Sequence, residues 1–181
     1  MGILNSDQIK EILEKHYEIL NKEIKIDTFV ETGTYEGATL ESLQDCFERF
    51  FSVELCEDLY NRSSNTFEKY KKVFLFQGSS IEQLPKMFPN FSNEPVVFFL
   101  DAHYSSGKTA RDELHDPPIL FEIEIILEQR KLTGFYNDII IIDDFGQFGT
   151  NKPDENWSSI SVENIQNILD KHCIDSESYC L

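Results

Sequence analysis

Apolar positions along this chain switch repeatedly between a helical period and short continuous runs, and the switches mark the elements. Behind a cap offered by Asn5, Ser6 and Asp7, the residues Ile9, Ile12, Leu13, His16, Tyr17 and Leu20 recur at helical spacing. They predict a leading amphipathic helix, with His16 a structural histidine on its face. A polar break over 21–25 leads to a β-branched run, residues 26–31. Helical spacing returns over 38–50, where Leu40, Leu43, Phe47 and Phe50 share a side. Residues 51–54 (FSVE) read as a second strand, 56–72 as a polar helix, 73–77 as a third strand closed by Gly78-Ser79-Ser80, and 81–87 as a short helix. The run 95–100 (PVVFFL) is fully apolar, as a parallel strand is when helices cover both its faces. After an irregular loop, Pro117-Pro118 open a helix over 119–131. Residues 138–142 form a fifth strand capped by Asp143-Asp144, and 161–172 a last helix. Tyr179-Cys180-Leu181 look like the start of another strand, so either the sheet is short at its C-terminal edge or the chain is truncated there.

Five strands alternating with helices predict an α/β fold: a doubly wound, mostly parallel sheet in a three-layer αβα sandwich. The length of 181 residues suits one domain, with 1–24 as the leading helix and 25–181 as the core. In such sheets ligands bind outside the carboxyl ends of the strands. Those ends are Glu31-Thr32-Gly33, Glu54, Gly78-Ser79-Ser80, Asp101-Ala102-His103 and Asp143-Asp144. Nearly every strand closes on an acid or a glycine. Two loops, 102–116 and 145–159, exceed the usual ~2–6 residues of a βα connection, which marks them as functional candidates. The second holds Phe148 and the only tryptophan, Trp157, as either an acceptor wall or packing.

Composition narrows the partners. Fifteen phenylalanines argue for a packed globular protein. A formal charge of −17, with no basic cluster beyond Lys69, Lys71 and Lys72 at a helix end, argues against nucleic acid. The four cysteines, Cys46, Cys56, Cys173 and Cys180, lack metal-site spacing and read as reduced thiols of a cytoplasmic protein. No apolar run approaches the ~20 residues of a membrane span, and no leader is evident. The expected partner is a small-molecule acceptor, and a homodimer is an allowed assembly.

The turn after the first strand reads Glu31-x-Gly33-x-x-x-Gly37 rather than G-x-G-x-x-G. Glycines there let a ligand approach the backbone, with a helix N-terminus behind. An acid beside the turn repels a pyrophosphate but pairs with an ammonium. Glu54 ends the second strand, where an acid accepts from ribose hydroxyls. The pocket therefore suits a nucleoside with a cationic, amino-acid-like tail.

At this point the chain resembles the class I S-adenosylmethionine-dependent methyltransferases, through ETGTYEG (31–37), VEL (53–55), FQGSS (76–80), LDAHYS (100–105) and IIIIDDFGQF (139–148). The likeness covers about 25–148, and the D-A-H-Y-S…P-x-L-x-E…I-D-D arrangement resembles members linked to sugar or glycan modification. The resemblance implies a Rossmann-like fold and O-methylation of a small molecule such as a sugar. It implies a cofactor site of Glu31, Thr32, Gly33, Thr34, Tyr35, Gly37, Thr39, Glu54, Leu55, Gly78, Ser79, Ser80 and Asp101. Residues 33–37 would line the methionine portion, with Ser79 and Ser80 near the adenine. Asp101, Asp143 and Asp144 resemble the triad of metal-dependent O-methyltransferases and imply Mg2+ or another divalent ion. The alternative is that Asp101 contacts the cofactor and Asp144 caps a loop. His103, with Asp101, is a candidate catalytic pair, His103 as general base or as a hydrogen-bonded loop histidine. Lys108 and Arg111 are contacts for an anionic substrate or plain loop charges, and His115 and His172 read as surface residues. Two rival functions remain: a non-catalytic S-adenosylmethionine-binding or scaffold domain, and an NAD-type oxidoreductase.

Overall fold

The structure, a computed structural model, describes residues 3–172 except 21, 106, 136 and 154. The predicted strand start at 179–181, with Cys173 and Cys180, lies outside the described residues. The chain runs α1 (Ser6–Leu20), β1 (Thr28–Thr32), α2 (Ala38–Ser42), β2 (Arg49–Glu54), α3 (Glu57–Phe67), β3 (Val73–Gln77), α4 (Ser80–Met87), β4 (Val96–Leu100), α5 (Ile119–Thr133), β5 (Ile139–Ile142), the short strands β6 (Asn151–Lys152) and β7 (Glu155–Asn156), and α6 (Val162–Lys171). Five strands pair in the order β3-β2-β1-β4-β5, all parallel, and β6-β7 form a separate antiparallel pair. The fold is doubly wound and Rossmann-like, with the order reversing between β1 and β4.

Strand periodicity divides the core into two layers. Val30, Phe51, Val53, Phe98 and Leu100 point to one face, where α4, α5 and α6 cover them through Leu84, Met87, Ile123, Ile126 and Ile168. Phe29, Phe50, Val97 and Phe99 point to the other, against Ile9 and Ile12 of α1, Leu40 of α2 and Phe67 of α3. Every residue of β1 and β4 is buried, which explains the unbroken apolar run of β4.

One helix is shorter than its periodicity implies. Helical spacing over 38–50 yields only five helical residues, and the chain then turns so that Glu48 and Arg49 both donate their amides to the Asp27 carbonyl. β2 therefore starts at Arg49. Phe50 sits opposite Phe29 in parallel register, and both rings meet Phe47. Aromatic burial on the sheet outweighs the helical spacing there.

The end of the sheet away from the site is closed by Arg130, 1 % exposed, whose guanidinium forks onto Asp138 at 2.6 and 2.7 Å. Its other donors reach the carbonyls of Phe91, Ser92 and Glu94, and Asp138 also accepts from the Val96 amide. No helix among the described residues is long and apolar enough to cross a membrane.

Candidate active site

The turn after β1 is built on backbone contact. Gly33 adopts φ +89°, and a Cβ there would meet the Asp101 carbonyl oxygen at 2.6 Å. No side chain fits, so the ends of β1 and β4 approach directly. The amides of Gly33 and Thr34 both donate to the Val53 carbonyl, tying the turn to β2. Tyr35, at φ +50°, then presents its amide to Glu54 Oε2 at 2.7 Å, and Cys56 presents its own to Oε1 at 2.8 Å. Glu54 is thereby clamped by two backbone donors at the cleft edge. Burial pushes its carboxyl up, and these amides oppose the shift.

Glu31 lies beneath the turn. Ser52 Oγ donates to its Oε2 at 2.7 Å, so the Ser52 oxygen is left to accept from Thr34 Oγ1, also at 2.7 Å. Burial raises Glu31 to about 8, against the hydroxyls of Ser52 and Thr39. Glu122, in the first turn of α5, is fully buried as well, and neither oxygen has a hydrogen bond of good geometry. Burial moves it to about 7, with the Ser80 and Thr32 hydroxyls nearby favouring the charged form. Helical periodicity alone hides this residue, because an acid in a first turn is unremarkable.

At the end of β4, Asp101 donates its amide to the Thr32 carbonyl at 3.0 Å. Its Oδ1 is buried without a hydrogen bond, and burial together with Asp143, Glu31 and Asp144 drives the carboxyl to about 9. His103 stands between two acids, Nδ1 3.5 Å from Asp101 Oδ1 and Nε2 3.0 Å from Asp144 Oδ2, its ring edge-on to Trp157. Asp144 turns into this cluster through a left-handed backbone, φ +55°. Among the described residues, the group able to share one ion is Asp101, His103 and Asp144, with ligand atoms within 4.8 Å of one another. The group differs from the triad expected from sequence: Asp143 is not in it, and His103 is. The reason is local: in the pair ending β5, Asp144 takes the left-handed turn that brings it to His103. The buried Asp101 oxygen without a hydrogen bond and the mixed oxygen and nitrogen donors fit a divalent cation.

The remaining wall is the loop after β4. Asp112 accepts from Ser79 Oγ at 2.7 Å and from the Leu114 amide at 3.1 Å, and His115 Nδ1 lies 3.2 Å from its Oδ2. His115 borders the cleft, contrary to its reading as a surface residue. Lys108 pairs with Glu36 across the first turn, while Arg111 pairs with Asp116 and covers the Tyr104 ring at 4.2 Å. Both cations are thus engaged within the protein. The enclosed volume is only about 50 Å³, against the ~300–1,000 Å³ of small-molecule sites.

Of the residues expected to hold the cofactor, Gly33, Tyr35, Glu54, Leu55, Gly78, Ser79, Ser80 and Asp101 line this cleft, together with His103. Glu31, Thr32, Thr34, Gly37 and Thr39 do not line it. Glu31, Thr32, Thr34 and Thr39 are buried supports of the turn, and Gly37, buried as well, makes room with its bare α-carbon for the Phe67 ring, 2.5 Å from where its Cβ would be. Trp157 is 2 % exposed and packs under His103 rather than lining the cleft. Tyr104, Asp112 and His115 also line the cleft, and periodicity cannot point to them because loop residues carry none.

No protein-family profile matches the chain, and no curated protein does. Solved structures do resemble it. An S-adenosylmethionine-dependent methyltransferase from Clostridium acetobutylicum is 13 % identical, with a TM-score of 0.49 over 80 % of this chain and 52 % of that one. A candidate caffeoyl-CoA O-methyltransferase from Staphylococcus aureus is 12 % identical, with a TM-score of 0.45 over 94 % and 74 %. A candidate methyltransferase from Bacillus halodurans is 16 % identical, with a TM-score of 0.38 over 65 % and 45 %. The chain spans under half the length of that last protein.

Proposed function

We propose that the chain is a class I S-adenosylmethionine-dependent methyltransferase that methylates an oxygen of a small molecule, a sugar or glycan-precursor hydroxyl. The observation that carries this reading is Glu54, held by the Tyr35 and Cys56 amides beside a turn whose Gly33 admits no Cβ. A carboxylate so fixed accepts from a vicinal diol, and the bare turn admits the adjoining chain of an adenosyl ligand against the backbone. Glu31 and Asp101 hold protons in the free protein, and a bound sulfonium or ammonium favours their ionised forms, which then act as its counter-charges.

Transfer of a methyl group in line needs alignment above all, which a closed loop over a rigid sheet edge provides. Asp144 orients His103 through Nε2, and His103 or a neighbouring carboxylate takes the acceptor's proton. A divalent ion, when bound by Asp101, His103 and Asp144, would lower the pKa of the acceptor hydroxyl. Isothermal calorimetry with S-adenosylhomocysteine tests the core of the reading, with micromolar binding as the expected result. A folded sample that gives no heat with either S-adenosylhomocysteine or S-adenosylmethionine would sink it.

A further inference from the structure

We propose that β3 is the seam of a two-fold dimer, in which the open edge of the sheet pairs antiparallel with the same edge of a second copy, Leu75 opposite Leu75. Within the sheet β3 is bonded to β2 alone. Its five residues, VFLFQ, include no charge and no proline, the devices that usually blunt an exposed edge. Phe74 is 44 % exposed, and Gln77 is exposed as well. The chain carries a net charge of −17, and its basic cluster, Lys69, Lys71 and Lys72, leads into this strand, so two copies repel each other least here.

The backbone of the edge determines what fits it. At one end of the β2–β3 ladder Phe50 donates to the Lys72 carbonyl, and at the other Gly78 donates to the Glu54 carbonyl. Lys72, Phe74, Phe76 and Gly78 therefore face β2, and the alternate residues Val73, Leu75 and Gln77 turn their amides and carbonyls outward. Two of those groups are used within the chain. The Val73 amide donates to the Tyr70 carbonyl at 2.9 Å, and the Gln77 carbonyl accepts from Gln83 Nε2 at 3.0 Å. The Val73 carbonyl, the Leu75 amide and carbonyl and the Gln77 amide are left without a partner among the described residues. An antiparallel two-fold centred on Leu75 pairs all four. Leu75 exchanges both bonds with the partner's Leu75, and each Gln77 amide donates to the partner's Val73 carbonyl. A centre on Val73 or Gln77 instead meets a group already taken. Phe74 then lies opposite the partner's Phe76 in a non-hydrogen-bonded pair, where side chains come closest, and its exposed ring is covered. On the other face Val73 and Leu75 border a hollow of about 250 Å³ beside α3, open to the partner's side chains.

Sedimentation equilibrium and amide exchange test the seam. The wild type should weigh twice the 21.1 kDa chain, with the Leu75 and Gln77 amides protected from exchange and released on dilution to the monomer. Phe74→Lys sets an ammonium against the partner's Phe76 and should raise the dissociation constant about 100-fold, with the circular dichroism spectrum unchanged. Amide exchange on the wild type decides the matter if that variant does not fold. A monomer at every concentration up to the solubility limit overturns the proposal and leaves the edge to a strand of another protein. A dimer that Phe74→Lys leaves intact overturns it as well, as does a dimer whose Leu75 and Gln77 amides exchange freely, or an assembly of more than two copies.

Discussion

The two ends of the sheet bury charge in opposite ways. At the amino end of the strands, Arg130 and Asp138 neutralise each other, and every remaining guanidinium donor finds a carbonyl. At the carboxyl end, Glu31, Asp101 and Glu122 are buried with no lysine or arginine paired to them among the described residues, and their carboxyls are raised to about 8, 9 and 7. The first arrangement is complete within the chain. The second is satisfied by a proton or by a cationic ligand, so the difference separates a structural end from a binding end.

Breaking the complete end should cost most. Arg130→Ala leaves Asp138 buried and unpaired, and urea unfolding should show a loss of about 3–5 kcal/mol.

The incomplete end should show itself through pH. Glu31 ionises near 4.5 when unfolded and near 8 when folded. Folding therefore takes up a proton between those values. The associated stability is fully present below about 4.5 and is lost as pH rises through about 8, on the order of 2–4 kcal/mol for one such group. Melting temperature should fall across that window, and Glu31→Gln should flatten the fall.

Glu54→Gln retains one acceptor for two backbone amides, so it sharpens the comparison from the ligand side. Affinity for S-adenosylhomocysteine should drop about 10- to 100-fold in calorimetry. Lys108→Ala removes an exposed pair with Glu36 and should change unfolding free energy by under ~0.5 kcal/mol.

The sheet was legible because its central strands are buried on both faces, which gives β4 the continuous run VVFFL. The acids at strand ends were legible for a related reason, since the register of a parallel sheet puts successive ends at one edge. What periodicity could not reveal lies in side-chain direction. Asp143 and Asp144 are adjacent, and the backbone conformation of Asp144 decides which of them meets His103. Glu122 reads as an ordinary first-turn acid until the sheet packs over it. The short α2 follows from tertiary competition for Phe50 and could not be read from spacing alone.

Trp157 is the only tryptophan in the sequence, and its ring lies 5.1 Å from the centre of the His103 imidazole. Indole emission responds to what happens at a ring in such close edge-on contact. The protein thus carries its own optical reporter at the acidic cluster, with no competing chromophore of its kind. Intrinsic fluorescence followed while a divalent ion is added reads binding at the cluster directly and without a label.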